Sequence, residues 1–112
     1  MSIKIANYQF DGPYTSLKKL ENRAGIYVVH CHKDNKYYII DIGESAMVRN
    51  RVERHERMKC WLRHSDGGDI AVSVYYTNHW SQDGRSKFVK KLREEYNPPC
   101  GKSRLDSKLS FH

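Results

Sequence analysis

Gly25-Ile26-Tyr27-Val28-Val29-His30-Cys31 and Tyr37-Tyr38-Ile39-Ile40-Asp41-Ile42-Gly43 are the stretches on which the fold turns. Both are rich in β-branched and aromatic residues, the types that pack well on a pleated surface. The polar turn Lys33-Asp34-Asn35-Lys36 lies between them, so the pair reads as an antiparallel hairpin. Its register is left open by the sequence. A four-residue loop would pair Tyr27 with Ile42 and send Asp41 to the opposite face, whereas a bulge or an odd loop would bring Tyr27 and Asp41 together.

Upstream, Phe10-Asp11-Gly12-Pro13-Tyr14 is turn chemistry, and Thr15 or Ser16 can cap a short helix whose apolar edge is Leu17 and Leu20 and which ends near Asn22. Downstream, helical periodicity runs from Ser45 to about His64, with Val48, Val52 and Leu62 on one stripe. Ser65-Asp66-Gly67-Gly68 breaks it. Ile70 to Thr77 alternates as a third strand. A last helix starts near Asp83, turns Phe88, Val89, Leu92 and Tyr96 inward, and stops at Asn97-Pro98-Pro99. The expected fold class is therefore a small α/β domain, α+β in detail, with helices flanking a three-stranded, largely antiparallel sheet.

A length of 112 residues suits one domain over 1–112, with a core over about 24–101 and a basic tail over 102–112. Mean hydropathy is -0.83 and no long apolar run occurs, so no membrane partner is expected. The N-terminus, Met1-Ser2-Ile3-Lys4-Ile5-Ala6-Asn7, lacks the apolar stretch of a secretory signal. Cys31, Cys60 and Cys100 cannot all pair within one chain, and a reducing cytoplasm is the simpler reading. The net charge of +7 favours a polyanionic partner, nucleic acid above all.

The helical segment concentrates that charge. Arg49, Arg51, Arg54, Arg57, Lys59 and Arg63 face only Glu53 and Glu56. For most of them a solvated face is the simplest account. Arg51 and His55 differ, because they lie four apart beside the apolar stripe of Val48 and Val52. A cation and an imidazole bordering a buried edge are costly to desolvate, and a phosphate between them would compensate.

Gly25-Ile26-Tyr27 followed by Asp41-Ile42-Gly43 resembles the two signature strands of the GIY-YIG nuclease superfamily. Arg51 and His55 fall eight and twelve residues after Gly43, and Asn97-Pro98-Pro99-Cys100-Gly101 resembles the segment closing that family's last helix. The resemblance implies a metal-dependent DNA endonuclease. Tyr27 would activate the attacking water or sit beside it, Arg51 would neutralise charge on the phosphorane, and His55 would join the proton path. A carboxylate on the last helix would hold Mg or Mn. Arg49, Arg54 and Lys90 are candidate backbone contacts.

Two departures accompany the resemblance. Asp41 replaces the second motif tyrosine, and Val89 stands where the family carries its metal-binding Glu, flanked by Lys87, Lys90 and Lys91. Asp41 and Glu44, with Asp83 further off, are the substitute ligands. The alternative to an endonuclease is a nucleic-acid-binding module that kept the fold and lost the metal. Zinc is the minor reading for His30, Cys31, His32, Cys60, His64 and Cys100, which contain no CxxC or HxxxH pair. Cys31 reads as a buried strand residue, and His30 and His32 as a strand end near solvent.

Overall fold

The computed structural model describes residues 1–101; the basic tail expected over 102–112 lies outside them. The central hairpin is formed by β3 (Gly25–Lys33) and β4 (Lys36–Ser45). Asp34 and Asn35 alone make its turn, both at positive φ (53° and 63°), a conformation that Asp and Asn tolerate and that matches the strand twist. Tyr27 lies opposite Gly43 and Val29 opposite Asp41, but His30 lies opposite Ile39. Ile40 is thus the extra residue of a β-bulge.

β5 (Asp69–Tyr76) pairs antiparallel with the other side of β3. The expected three strands are present, but the sheet does not end there. Among the described residues it has five strands, which corrects the three-stranded expectation. β1 (Ser2–Ile5) and β2 (Tyr8–Tyr14) form a second hairpin through Ala6-Asn7, and β2 pairs antiparallel with β5, giving the order β1-β2-β5-β3-β4. Gly12-Pro13 read as a turn because both residues usually break strands. In the structure they occupy the register irregularity between the pairs Asp11–Val74 and Tyr14–Val72, where positive φ at Gly12 (103°) and a missing N–H are tolerated.

Helices cover both faces. A 3₁₀ turn at Leu17–Lys19 replaces the short helix expected there. The single helix expected from Ser45 to His64 is two, α1 (Val48–Glu53) and α2 (Met58–Ser65), with Arg54 in non-helical backbone between them. The break changes the phase of the apolar stripe. Trp61 is fully buried while Leu62, expected inward, is exposed. α3 (Gln82–Tyr96) is capped by Ser81, whose hydroxyl accepts from the Gly84 N–H at 3.0 Å.

Tyr27, Val29, Val72 and Val74 of the sheet pack with Val48, Val52 and Trp61 on the α1–α2 side. Ile26, Val28 and Ile42 pack with Phe10, Val89 and Leu92 on the α3 side. His30 belongs to the interior, against the expectation of a site near solvent: it is 1% exposed, and Ser73 Oγ lies 2.7 Å from its Nε2. Cys60 on α2 is disulfide-bonded to Cys100, while Cys31 is free and buried. No helix among the described residues is long and apolar enough to cross a membrane.

Candidate functional site

The bulge at Ile40 decides the site. It returns Asp41 to the face that carries Tyr27 and Val29, and Gly43 falls directly beneath the Tyr27 ring. A Cβ on Gly43 would overlap the Tyr27 hydroxyl, so the absence of a side chain lets the phenol cross β4, the edge strand, and reach the far side. Gly43→Ala should therefore push the phenol off its seat and cost about 1–3 kcal/mol, as overpacking does. His55, whose pKa burial and neighbouring cations hold at about 4, should then titrate closer to 6.5. Thermal unfolding and an NMR titration of the imidazole check both; a variant with unchanged melting and unchanged His55 titration would contradict the stacking.

Tyr27 Oη and His55 Nε2 are 2.6 Å apart, and the Arg57 backbone N–H donates to His55 Nδ1 at 3.1 Å. A neutral imidazole carries one proton. Since Nδ1 accepts, that proton is on Nε2 and is donated to Tyr27 Oη. The tyrosine's own O–H is left to address the cleft in front of it. Burial pushes the Tyr27 pKa up to about 12, with Asp41 adding to the rise and Arg57, Arg51 and Arg93 opposing it. At neutral pH Tyr27 is a hydrogen-bond donor. The helix break that isolates His55 arises from these long-range partners: the imidazole is drawn under Tyr27, and Arg57 is drawn to Asp41.

Asp41, fully buried, accepts from Trp61 Nε1 at 2.6 Å, from Arg57 Nε at 2.7 Å and Nη2 at 3.2 Å, and from the Ile42 N–H at 2.8 Å. Arg93 Nη2 stands 3.7 Å away and the same side chain donates to the Ile42 carbonyl. Arg51 makes a two-pronged pair with Glu56 at 2.5 and 2.7 Å, and those hydrogen bonds hold the Glu56 carboxyl down at about 2. Burial lowers the Arg93 pKa, and the charge of nearby Arg57 lowers it further. Guanidinium groups brought this close disfavour one another unless an anion joins them.

A cleft of about 700 Å³ opens between α1 and α3 across the edge of β4, with Tyr27, Arg51, Arg57, Lys90 and Arg93 in its walls. Of the residues singled out from sequence, Tyr27, Arg51, Lys90, Glu44 and Val89 line it, and His55 stands behind Tyr27. Arg51 and His55 do not share one helical face as expected, since His55 sits in the break. Arg49 pairs with Glu53 on the exposed side of α1, and Arg54 is exposed outside the cleft walls. Arg57 and Arg93 were overlooked as functional residues. Asp41 held a usable signal for Arg57: a carboxylate inside the apolar run Ile39-Ile40-Asp41-Ile42 needs a buried cation.

The donor set does not fit a divalent ion of the Mg or Mn class. Asp41 is enclosed by Arg57 and Trp61, Glu44 is held by Arg85 Nε at 2.8 Å, and Asp83 pairs with Lys87 on the exposed surface of α3. Glu94 lines the cleft, but its wall also carries Lys90 and Arg93. Hard cations need several oxygen ligands and net negative surroundings. In comparisons with known proteins, no family model, no curated protein and no solved structure matches this chain.

Proposed function

We propose that this cleft binds a backbone phosphate of a nucleic acid, DNA in the first instance. The observation that carries the reading is the Tyr27 O–H, oriented by His55 toward a cleft walled by Arg51, Arg57 and Arg93. Guanidinium forks match phosphate oxygens in pairs, and a phenol donor adds a third contact. Asp41 and the Ile42 carbonyl hold Arg57 and Arg93 in place beforehand, so little ordering is left for the moment of binding. Arg51 would exchange one anion for another, releasing the exposed Glu56. The cleft walls offer guanidinium, ammonium and phenol donors suited to phosphate oxygens, so binding is electrostatic and tolerant of sequence.

If about four phosphates are neutralised, affinity for a random duplex falls on the order of a hundredfold between roughly 50 and 200 mM salt. Arg51→Ala weakens binding and makes the salt dependence shallower by about one phosphate, while Arg54→Ala, outside the cleft, changes it less. Fluorescence anisotropy reads both. Salt-independent binding, no binding at low salt, or equal effects of the two substitutions would overturn the assignment.

Phosphodiester hydrolysis of the GIY-YIG type is the second reading, favoured by the proximity of Tyr27, His55 and Arg51. In that case supercoiled plasmid is nicked, whether or not Mg or Mn is added, and nicking is lost in Arg51→Ala. A cleft that only binds gives no nicking in either metal.

A further inference from the structure

A second cluster is formed by residues that do not themselves line the cleft. Cys60 and His64 are one helical turn apart on α2 and so share a face. Cys100, carried by the turn after Pro98-Pro99, reaches the same place, and the ligating atoms of the three residues all lie within 4.8 Å of one another. We propose that, with the disulfide reduced, Cys60, His64 and Cys100 form a binding site for one zinc ion, with the fourth position open to solvent.

Three observations support it. The first is donor chemistry: two thiolates and an imidazole are a set that selects zinc and excludes Mg and Mn. The second is His64. It is exposed, makes no side-chain hydrogen bond among the described residues, and contributes nothing to a Cys60–Cys100 disulfide, yet a ring nitrogen lies within 4.8 Å of both sulfurs. The third is geometry. A zinc tetrahedron with bonds of about 2.3 Å to sulfur and about 2.0 Å to nitrogen places its ligand atoms roughly 3.5–3.8 Å apart. That spacing is reached here by side-chain rotation from a Cα–Cα separation of 6.0 Å between the cysteines.

Zinc would make the same connection as the disulfide, between α2 and the segment after α3. That segment closes one end of the cleft. The Cys100 N–H donates to the Ile40 carbonyl at the bulge, and Gly101 lies so close to Asp41, Arg93 and Arg57 that a Cβ there would collide with them. The two states interconvert with balanced chemistry. Two thiols of a reductant such as glutathione supply two electrons and two protons, giving two cysteine thiols and one oxidised glutathione. Zinc then displaces both thiol protons as two Zn–S bonds form. In reverse, oxidised glutathione and two protons regenerate the Cys60–Cys100 bond, two reduced glutathiones and free zinc.

The test uses the full chain reduced by a phosphine, which takes up the oxygen of water as the disulfide opens, with oxygen excluded. Zinc is titrated against a chromophoric chelator, and cobalt(II) is used to read thiolate-to-metal charge-transfer absorption. The expected result is one zinc per reduced chain, a cobalt spectrum with thiolate bands, and no uptake at this site by the oxidised chain. His64→Ala, at an exposed position, weakens binding about tenfold or more. The double substitution Cys60→Ser with Cys100→Ser abolishes the thiolate bands, and Cys31→Ser leaves them unchanged. Failure of the reduced chain to take up one zinc, full affinity in His64→Ala, or thiolate bands that survive the double substitution would overturn the proposal. None of these outcomes depends on nucleic-acid binding, so the phosphate-cleft reading stands or falls separately.

Discussion

Replacing Asp41 by Ala is expected to destabilise the protein by roughly 3–4 kcal/mol, a large share of the 5–15 kcal/mol that holds a typical domain together. The carboxylate is fully buried and accepts from Trp61, Arg57 and the Ile42 N–H, with Arg93 close by. Its loss orphans a buried indole N–H and leaves two guanidiniums facing each other. Removing one partner of a buried pair costs about 3–5 kcal/mol. The low end applies here, because the Arg57 and Arg93 side chains remain 25% and 27% exposed and can recruit water. Asp41→Asn keeps an acceptor for Trp61 but not the charge, so it should fall between wild type and Ala. Urea unfolding at pH 7 gives the ordering. An Ala variant within about 1 kcal/mol of wild type would mean that the network contributes little net stability.

Stability should also fall steeply as the solution is acidified from pH 6.5 toward 4.5. Burial lowers the pKa of His30 to about 4; burial, then Arg57 and Arg51, lower that of His55 to about 4. In the unfolded chain both imidazoles take protons as the pH drops below about 6.5. In the folded chain they stay neutral until about 4. Protons within that window therefore bind the unfolded state preferentially, and the stability present above pH 6.5 is lost progressively. Each group accounts for roughly 3 kcal/mol when the whole window is crossed. Among the described residues His30 Nδ1 is buried without a hydrogen-bond partner, and burial is what holds the ring neutral. The measurement is the urea midpoint at pH 7.5, 6.0 and 4.5 for wild type, His30→Gln and His55→Gln. Each Gln variant should lose part of the pH dependence. A wild-type midpoint that is flat over this range would contradict the buried, neutral state of both residues.

What the sequence by itself determined is local. The β3–β4 hairpin follows from two β-branched runs around Asp34-Asn35, and the end of α3 follows from Asn97-Pro98-Pro99. The choice of Tyr27, Arg51 and His55 as a group came from motif spacing, and the structure brings Tyr27 and His55 into contact with Arg51 in the same cleft wall. The hairpin and the helix end are written in neighbours one to four residues apart, where period and turn chemistry act, whereas the grouping of Tyr27, Arg51 and His55 rests on the motif resemblance. Tertiary structure alone decided the rest. The bulge at Ile40 set the face of Asp41, and the burial of His55 and the Asp41–Arg57 pair, 16 residues apart, broke one expected helix into two. β2 pairs with β5 on both sides of Gly12-Pro13, because the two residues sit in an irregularity of β2 opposite a single residue of β5. Arg93 is held in the cleft by a carbonyl 51 residues away, and Cys100 reaches Cys60 and His64 only through the tertiary placement of the turn after α3. A side chain's partner across such distances depends on which surfaces come to face each other and on which cation is brought within reach of a buried carboxylate. Neither quantity is carried by the residues on either side of it in the chain.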